Sequence, residues 1–128
     1  MSPKTRSILG WVLTGLLSAF LLFSAVNKFM DKPETAQMTA ALGLTSDSIH
    51  IIGMVEILSV LLFLIPRTGV LGTLMLSAYL GGAIATHVEH PVAGPPTAAM
   101  ITMAILWITA TIRFPELTAR LTGRVAGR

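Results

Sequence analysis

The sequence predicts an all-α fold, a four-helix transmembrane bundle, and three observations predict it. Charge is scarce: Asp, Glu, Lys and Arg make up 12% of the 128 residues, against about 25% in a soluble domain. The charge-free residues also come in blocks. Residues 7–27, 68–88 and 90–112 carry none of these four residues, and 48–66 carries only Glu56. Each block is close to the roughly 20 residues that a helix needs to cross ~30 Å of hydrocarbon. A soluble bundle interleaves charges along the wet face of every helix, and these blocks do not. The expectation is one membrane domain over residues 1–128, with no room for a soluble one.

The first span covers about residues 8–28. Lys4 and Arg6 precede it, as in a secretory signal. Its apolar stretch is longer than the usual ~7–15-residue signal core, and FSAVNKF offers no small-x-small cleavage site, so it is read as a retained span. The connection 29–48 contains PETAQMTAALG, which reads as a short helix or a mobile loop at the membrane surface. Pro33 suits a first turn, Glu34 the positive end of the dipole, and Gly43 a C-terminal stop. The second span runs over 49–65, with Asp47 or Ser48 as its N-cap. Pro66 and Arg67 turn the chain into the third span, 69–87. There Ser77, Gly81 and Ala85 recur every fourth residue after Gly69 and Gly72, a face for close helix packing. EHPVAGPP, rich in turn-formers, leads to the fourth span, 97–113. In the tail, Leu117 and Leu121 are one turn apart among arginines. It either lies on anionic headgroups or frays and only fixes orientation.

Four spans put both termini on one side. Lys4, Arg6, Arg67, Arg113, Arg120, Arg124 and Arg128 fall there, and only Lys28 and Lys32 on the other. By the positive-inside rule, the protein sits in the inner (plasma) membrane with both termini in the cytoplasm. Topology thus accounts for the net charge of +3, and no nucleic-acid partner is implied. The chain has no cysteine, which excludes dithiol chemistry, disulfides and thiolate metal sites within it. Serine-hydrolase, dinucleotide and phosphate-loop motifs are absent; Gly81-Gly82 lies mid-span without the strand and lysine of a phosphate loop.

Glu56 raises the functional question. It lies about 10 Å below the outer surface, at 1.5 Å per residue. An isolated charge at mid-membrane costs at least ~2.5 kcal/mol, and intramembrane ionisable residues are functional candidates by default. The glutamate must be protonated or paired. Span one ends on the same side, with Ser24, Asn27 and Lys28 on one helix face, and the lysine stem can reach along it. Lys28 is the expected partner, with Asn27 and His87 supplying hydrogen bonds. Tyr79 and Thr86 share a face of span three. The candidate set is Glu56, Lys28 and His87 for chemistry, with Asn27, Ser24, Tyr79 and Thr86 as ligand contacts. The inner half offers only Thr102, Thr109 and Arg113. The plainer readings are an ion pair that only fixes helix register, a helix-capping His87, and solvated His50 and His90. No metal site is expected: His87 and His90 share a face without Glu89, and a second Glu-x-x-His pair is lacking.

FLLFSAVNKF, GMVEILSVLLFLIP and LSAYLGGAIATHVEH, in that order, resemble the DoxX family and its small DoxX-like proteins, over about residues 20–92 and more loosely span four. The resemblance implies a four-helix membrane bundle. It also implies recurring lysine, glutamate and histidine positions, here Lys28, Glu56 and His87. Some members of that family belong to a thiosulfate:quinone oxidoreductase, and others are linked to membrane redox complexes or maturation factors. The expected function is therefore a component in the lipid bilayer that binds a quinone or another lipophilic small molecule. Its expected partners are membrane redox proteins or a second copy in a homo-oligomer. Thiosulfate itself suits the outer side poorly, where acids outnumber Lys28 and Lys32. The alternatives are a non-catalytic assembly factor docking through the small-residue face, and an acid–base enzyme using Glu56 on a lipophilic substrate.

Overall fold

The computed structural model describes residues 1–124. Arg128, counted above among the basic residues of one side, lies outside the described residues. The elements are α1 (Pro3–Asn27), α2 (Pro33–Ala41), α3 (Ser46–Leu64), α4 (Gly69–Glu89), α5 (Thr97–Arg113) and α6 (Pro115–Leu121), with short 3-10 turns at Pro66–Thr68 and Pro91–Ala93. No strand occurs among the described residues. The chain is an all-α transmembrane bundle. α1, α3 and the stretch Pro66–Glu89 are each long and apolar enough to cross a membrane. The 17 residues of α5 are about 25 Å long, and α5 counts as a fourth candidate span only together with α6. α6 then turns away from α5 by 109°. Pro115 lacks the N–H that would continue the helix.

α1 packs against α3 and α5, and α4 packs against the same two, so the four long helices form a ring with α1 diagonal to α4. One end of the bundle carries Lys28, His50, His87 and His90, and is called the histidine end. The other carries Arg6, Arg67 and Arg113, and is called the arginine end. The core runs through Leu17, Leu21, Val60, Phe63, Leu76, Leu80, Leu106, Ala110 and Phe114. Leu16, Phe23, Met54, Leu58, Leu74 and Ile108 point outward and are exposed. That surface is costly in water but neutral against lipid tails, where helices associate by packing rather than by hydrophobic burial.

Packing is closest at Gly72. A Cβ there would run into the α3 backbone at Leu62 and Phe63. The expected small-residue face of α4 therefore packs at its start, and Ser77 accepts a hydrogen bond from Trp107 Nε1 at 3.2 Å. Further along, Gly81 and Ala85 are exposed, and a Cβ at Gly81 would meet nothing within 4 Å. Two other expectations are corrected. Thr45, not Asp47 or Ser48, caps α3: its Oγ1 accepts from the Ser48 N–H at 3.1 Å. The helix starts at Ser46, three residues before the expected start of the span at 49, which puts both expected caps inside its first turn. Thr102 belongs to the histidine half, and the core holds Thr14, Ser18, Ser59 and Thr73 as well. Thr14, Ser59, Thr73 and Thr109 each donate to the carbonyl four residues back. That local bond lets a hydroxyl sit in a dry core. Of the two readings of the 29–48 connection, the short helix is the one that forms: α2 lies where Pro33 and Gly43 delimit it, and Gly43 takes φ +70°, a conformation that favours glycine.

Candidate functional site

The last turn of α1 presents Ser24 and Lys28 to α3. Lys28 Nζ lies 2.7 Å from Glu56 Oε2 and 2.9 Å from Ser24 Oγ. Glu56 is 0% exposed and the Lys28 side chain 16%. Gly53 makes this approach feasible. It lies three residues before Glu56, on the same helix face. A Cβ there would fall 2.7 Å from Phe29 Cε2 and 3.3 Å from Lys28 Cβ. Without one, the end of α1 rests directly on α3. Phe29 then stacks on His50, with ring centroids 5.4 Å apart.

The ion pair leaves one atom unsatisfied. Glu56 Oε1 is buried and has no hydrogen-bond partner. The Tyr79 hydroxyl stands beside Glu56 and Ser24, and no donor reaches hydrogen-bond geometry with Glu56 Oε1. The Lys28 ammonium lies 5.6 Å from the Tyr79 ring centroid, within the range of a cation–π contact. A buried carboxylate oxygen without a donor costs on the order of 1–3 kcal/mol or more, so such an atom in a folded protein calls for an explanation.

Glu56 lines a cavity of about 830 Å³ at the histidine end. All seven candidate residues line it: Ser24, Asn27, Lys28, Glu56, Tyr79, Thr86 and His87. The rest of the wall is largely apolar, with Phe20, Leu21, Phe23, Met38, Leu42, Ile52 and Leu80. α2 covers the polar end of the cavity. Thr35 Oγ1 donates to Asn27 O at 3.2 Å, and Gly43 abuts the His90 ring. His90 in turn donates through Nδ1 to Thr86 O at 3.1 Å. On the flank between α1 and α5, lining residues Phe20, Phe23 and Ala98 are exposed. This part of the rim faces the lipid side of the bundle.

The structure brings Ser24, Lys28, Glu56 and Tyr79 together. Asn27 and His87, expected to bond Glu56, do not. Asn27 Nδ2 donates to Phe23 O at 2.8 Å and His87 Nδ1 to Ala83 O at 2.8 Å. Thr86 likewise donates to Gly82 O. Each has turned to the carbonyl one turn back, which is always within reach on a helix, whereas Glu56 is not. His50 and His90 are also not simply solvated: one stacks on Phe29 and the other abuts Gly43. Sequence reasoning missed Gly53 as the contact that admits Lys28, and Thr35, Met38 and Thr102 as cavity wall. The Gly-x-x-Glu spacing carried a signal for the first. Nothing in the sequence signals the others, because α2 reaches the cavity only through the tertiary fold. Among the described residues, no three His, Asp or Glu side chains converge to hold a metal ion.

Chemically, this is a carboxylate fixed by a cation through one oxygen, with the other oxygen free to accept a proton or a hydrogen bond. It stands in an apolar chamber large enough for a small organic molecule. No curated protein and no solved structure matches the chain. The model of the DoxX-like family matches residues 12–112. That stretch begins in the first half of α1 and ends one residue short of the end of α5, so it takes in the ion pair, the cavity and most of α2's roof contacts. The chain is a membrane protein of the DoxX-like family.

Proposed function

We propose that the protein binds a lipophilic small molecule with a hydrogen-bond-donating head, a quinone in its reduced, hydroxyl-bearing form, as part of a membrane redox system. The observation that carries this reading is the unpartnered Glu56 Oε1 on the wall of an 830 Å³ cavity. An ion-paired carboxylate can only accept hydrogen bonds. An oxidised quinone offers only acceptors, whereas a quinol offers an O–H donor for the Glu56 oxygen that has none. In this reading Glu56 accepts the ligand hydroxyl, or its proton. Lys28 holds the carboxylate and steadies an anion formed on the ligand. Tyr79, Ser24, Asn27 and Thr86 frame the head group, and His87 links the chamber to water. The apolar tail leaves past Phe20 and Phe23 into lipid. The orientation proposed with it is the inner membrane with the histidine end outside, on the strength of the basic residues at the other end.

The test is binding of a short-chain quinol and its quinone to the protein in lipid nanodiscs. The expectation is tighter binding of the quinol, and a loss of about tenfold in Glu56→Gln, the size of one charge-assisted hydrogen bond. A Cβ at Gly82 would meet nothing within 4 Å. Gly82→Leu therefore folds normally but fills the chamber, and should bind neither form. Equal affinity in all three proteins removes the ligand role.

A second reading rests on the uncovered stretch of α4 at Gly81 and Ala85. Small exposed residues let another helix approach closely in lipid, as an assembly factor or a homo-oligomer requires. Cysteine cross-linking at Ala85 in native membranes tests it, and absence of any adduct sets it aside. In an acid–base enzyme, Glu56 would carry a proton to and from a lipophilic substrate, and accumulation of that substrate in a deletion strain would reveal it.

A further inference from the structure

The arginine end holds a second cavity, of about 410 Å³, between the start of α1 and the end of α5. Its wall includes Arg6, Ser7, Gly10, Trp11, Ile112 and Arg113. Gly10 lets α1 approach α5 closely there: a Cβ at Gly10 would lie 3.6 Å from the Arg113 backbone. Both arginines are half-buried, and both are held by main-chain carbonyls. Arg6 donates from Nε to Ile112 O at 2.7 Å and from Nη2 to Thr111 O at 3.0 Å. Arg113 reaches across the bundle and donates to Phe63 O and Leu64 O at the end of α3. Its guanidinium also lies 4.2 Å from the Trp11 ring centroid and 4.8 Å from that of Phe114.

Among the described residues, neither arginine has a carboxylate partner. The one ion pair among the described residues is Lys28–Glu56, at the opposite end. Carbonyls orient a guanidinium but do not neutralise it. A guanidinium carries five N–H donors in a planar fork, and two are engaged in each case here. Two fixed, half-desolvated cations with free donors on one cavity wall match a group with several anionic oxygens, above all a phosphate. The nearby positive end of the α1 dipole adds to the attraction. Apart from Ser7 and Met1, the remaining wall is apolar, with Trp11, Ile112 and Pro115. Trp is favoured where hydrocarbon meets headgroups. We propose that this cavity binds the phosphate of an anionic phospholipid, seating its headgroup against Arg6 and Arg113 and its glycerol and upper acyl chain against Trp11.

Native mass spectrometry of the detergent-purified full chain tests this, with phosphatidylglycerol, phosphatidylcholine and inorganic phosphate added in separate arms and in competition. Retained phosphatidylglycerol is expected in the wild type, with little phosphatidylcholine, whose own cation repels the pair. Arg6→Gln should lower that retention about tenfold, equivalent to a lost charge-assisted contact. Because Arg6 also holds the end of α5, Ser7→Phe serves as a second variant. Ser7 is an exposed residue of the cavity wall, so this change blocks the space and leaves both arginines in place. It should lower retention equally. Unchanged phosphatidylglycerol retention in both variants overturns the proposal, and so does its displacement by inorganic phosphate, which would assign the site to a soluble anion.

Discussion

Lys28 and Glu56 form one buried ion pair, and neither charge is tolerable in the bundle alone. Burying two charges is costly, and their mutual attraction offsets that cost only when the geometry is close. The 2.7 Å contact provides it, and Ser24 Oγ supports the ammonium at 2.9 Å. Removing one partner leaves an uncompensated charge, so Lys28→Met should destabilise the protein by about 3–5 kcal/mol. Pairing it with Glu56→Leu should recover most of that loss, since an apolar pair of similar volume replaces a buried ion pair without large cost. Denaturant titration of the two single variants and the double variant measures this coupling. Simple addition of the two losses would mean the residues act independently. Quinol binding should stay absent in the double variant even where stability returns, which separates the role in the site from the role in folding.

At the scale of the element, glycines decide how near the helices come, and α2 decides whether the cavity is covered. Gly72→Ala puts a methyl group into the α3 backbone at Phe63, where no side chain can swing aside. Forcing extra volume into a packed contact costs about 1–3 kcal/mol. A lower melting temperature in detergent is therefore expected, whereas Gly81→Ala, in open space, should leave it unchanged. α2 is held by Thr35 at one end and by the Gly43–His90 contact at the other. Gly43→Val meets both a positive φ and the His90 ring. It should loosen the roof, speed ligand dissociation in stopped-flow measurements and cost about 1–3 kcal/mol of stability. Unaltered dissociation would mean that α2 is not the cover.

For the whole molecule, the two ends divide the charge. The histidine end holds five of the six acids, and the arginine end holds Glu116 alone beside most of the cations. This asymmetry is the basis of the proposed orientation, and a cavity lies at each end, one around the Lys28–Glu56 pair and one around two arginines. The chain has no cysteine, so single substitutions make clean reporters of sidedness. In intact cells, Met30→Cys should react with a membrane-impermeant maleimide and Thr122→Cys should not. The reverse pattern would invert the proposed orientation.

Hydropathy and charge along the chain determined the all-α membrane bundle, turn signals offered the short helix at Pro33 as one of two readings, and the cost of a lone charge required Glu56 to be protonated or paired. Hydrocarbon thickness acts along the chain, and the cost of a lone charge in lipid is the same whatever its neighbours. Only the tertiary structure decided which side chains meet. Asn27 and His87 share the correct depth with Glu56 yet bond their own helices, while Ser24 and Tyr79 stand beside it. Arg113, the last residue of α5, secures the end of α3. Thr35 and Met38, from a connection that looked peripheral, complete the cavity. These outcomes depend on how far each helix rotates and how closely it approaches. Contacts such as those at Gly53 and Gly72 set both, between residues far apart in the chain, and periodicity carries no record of them.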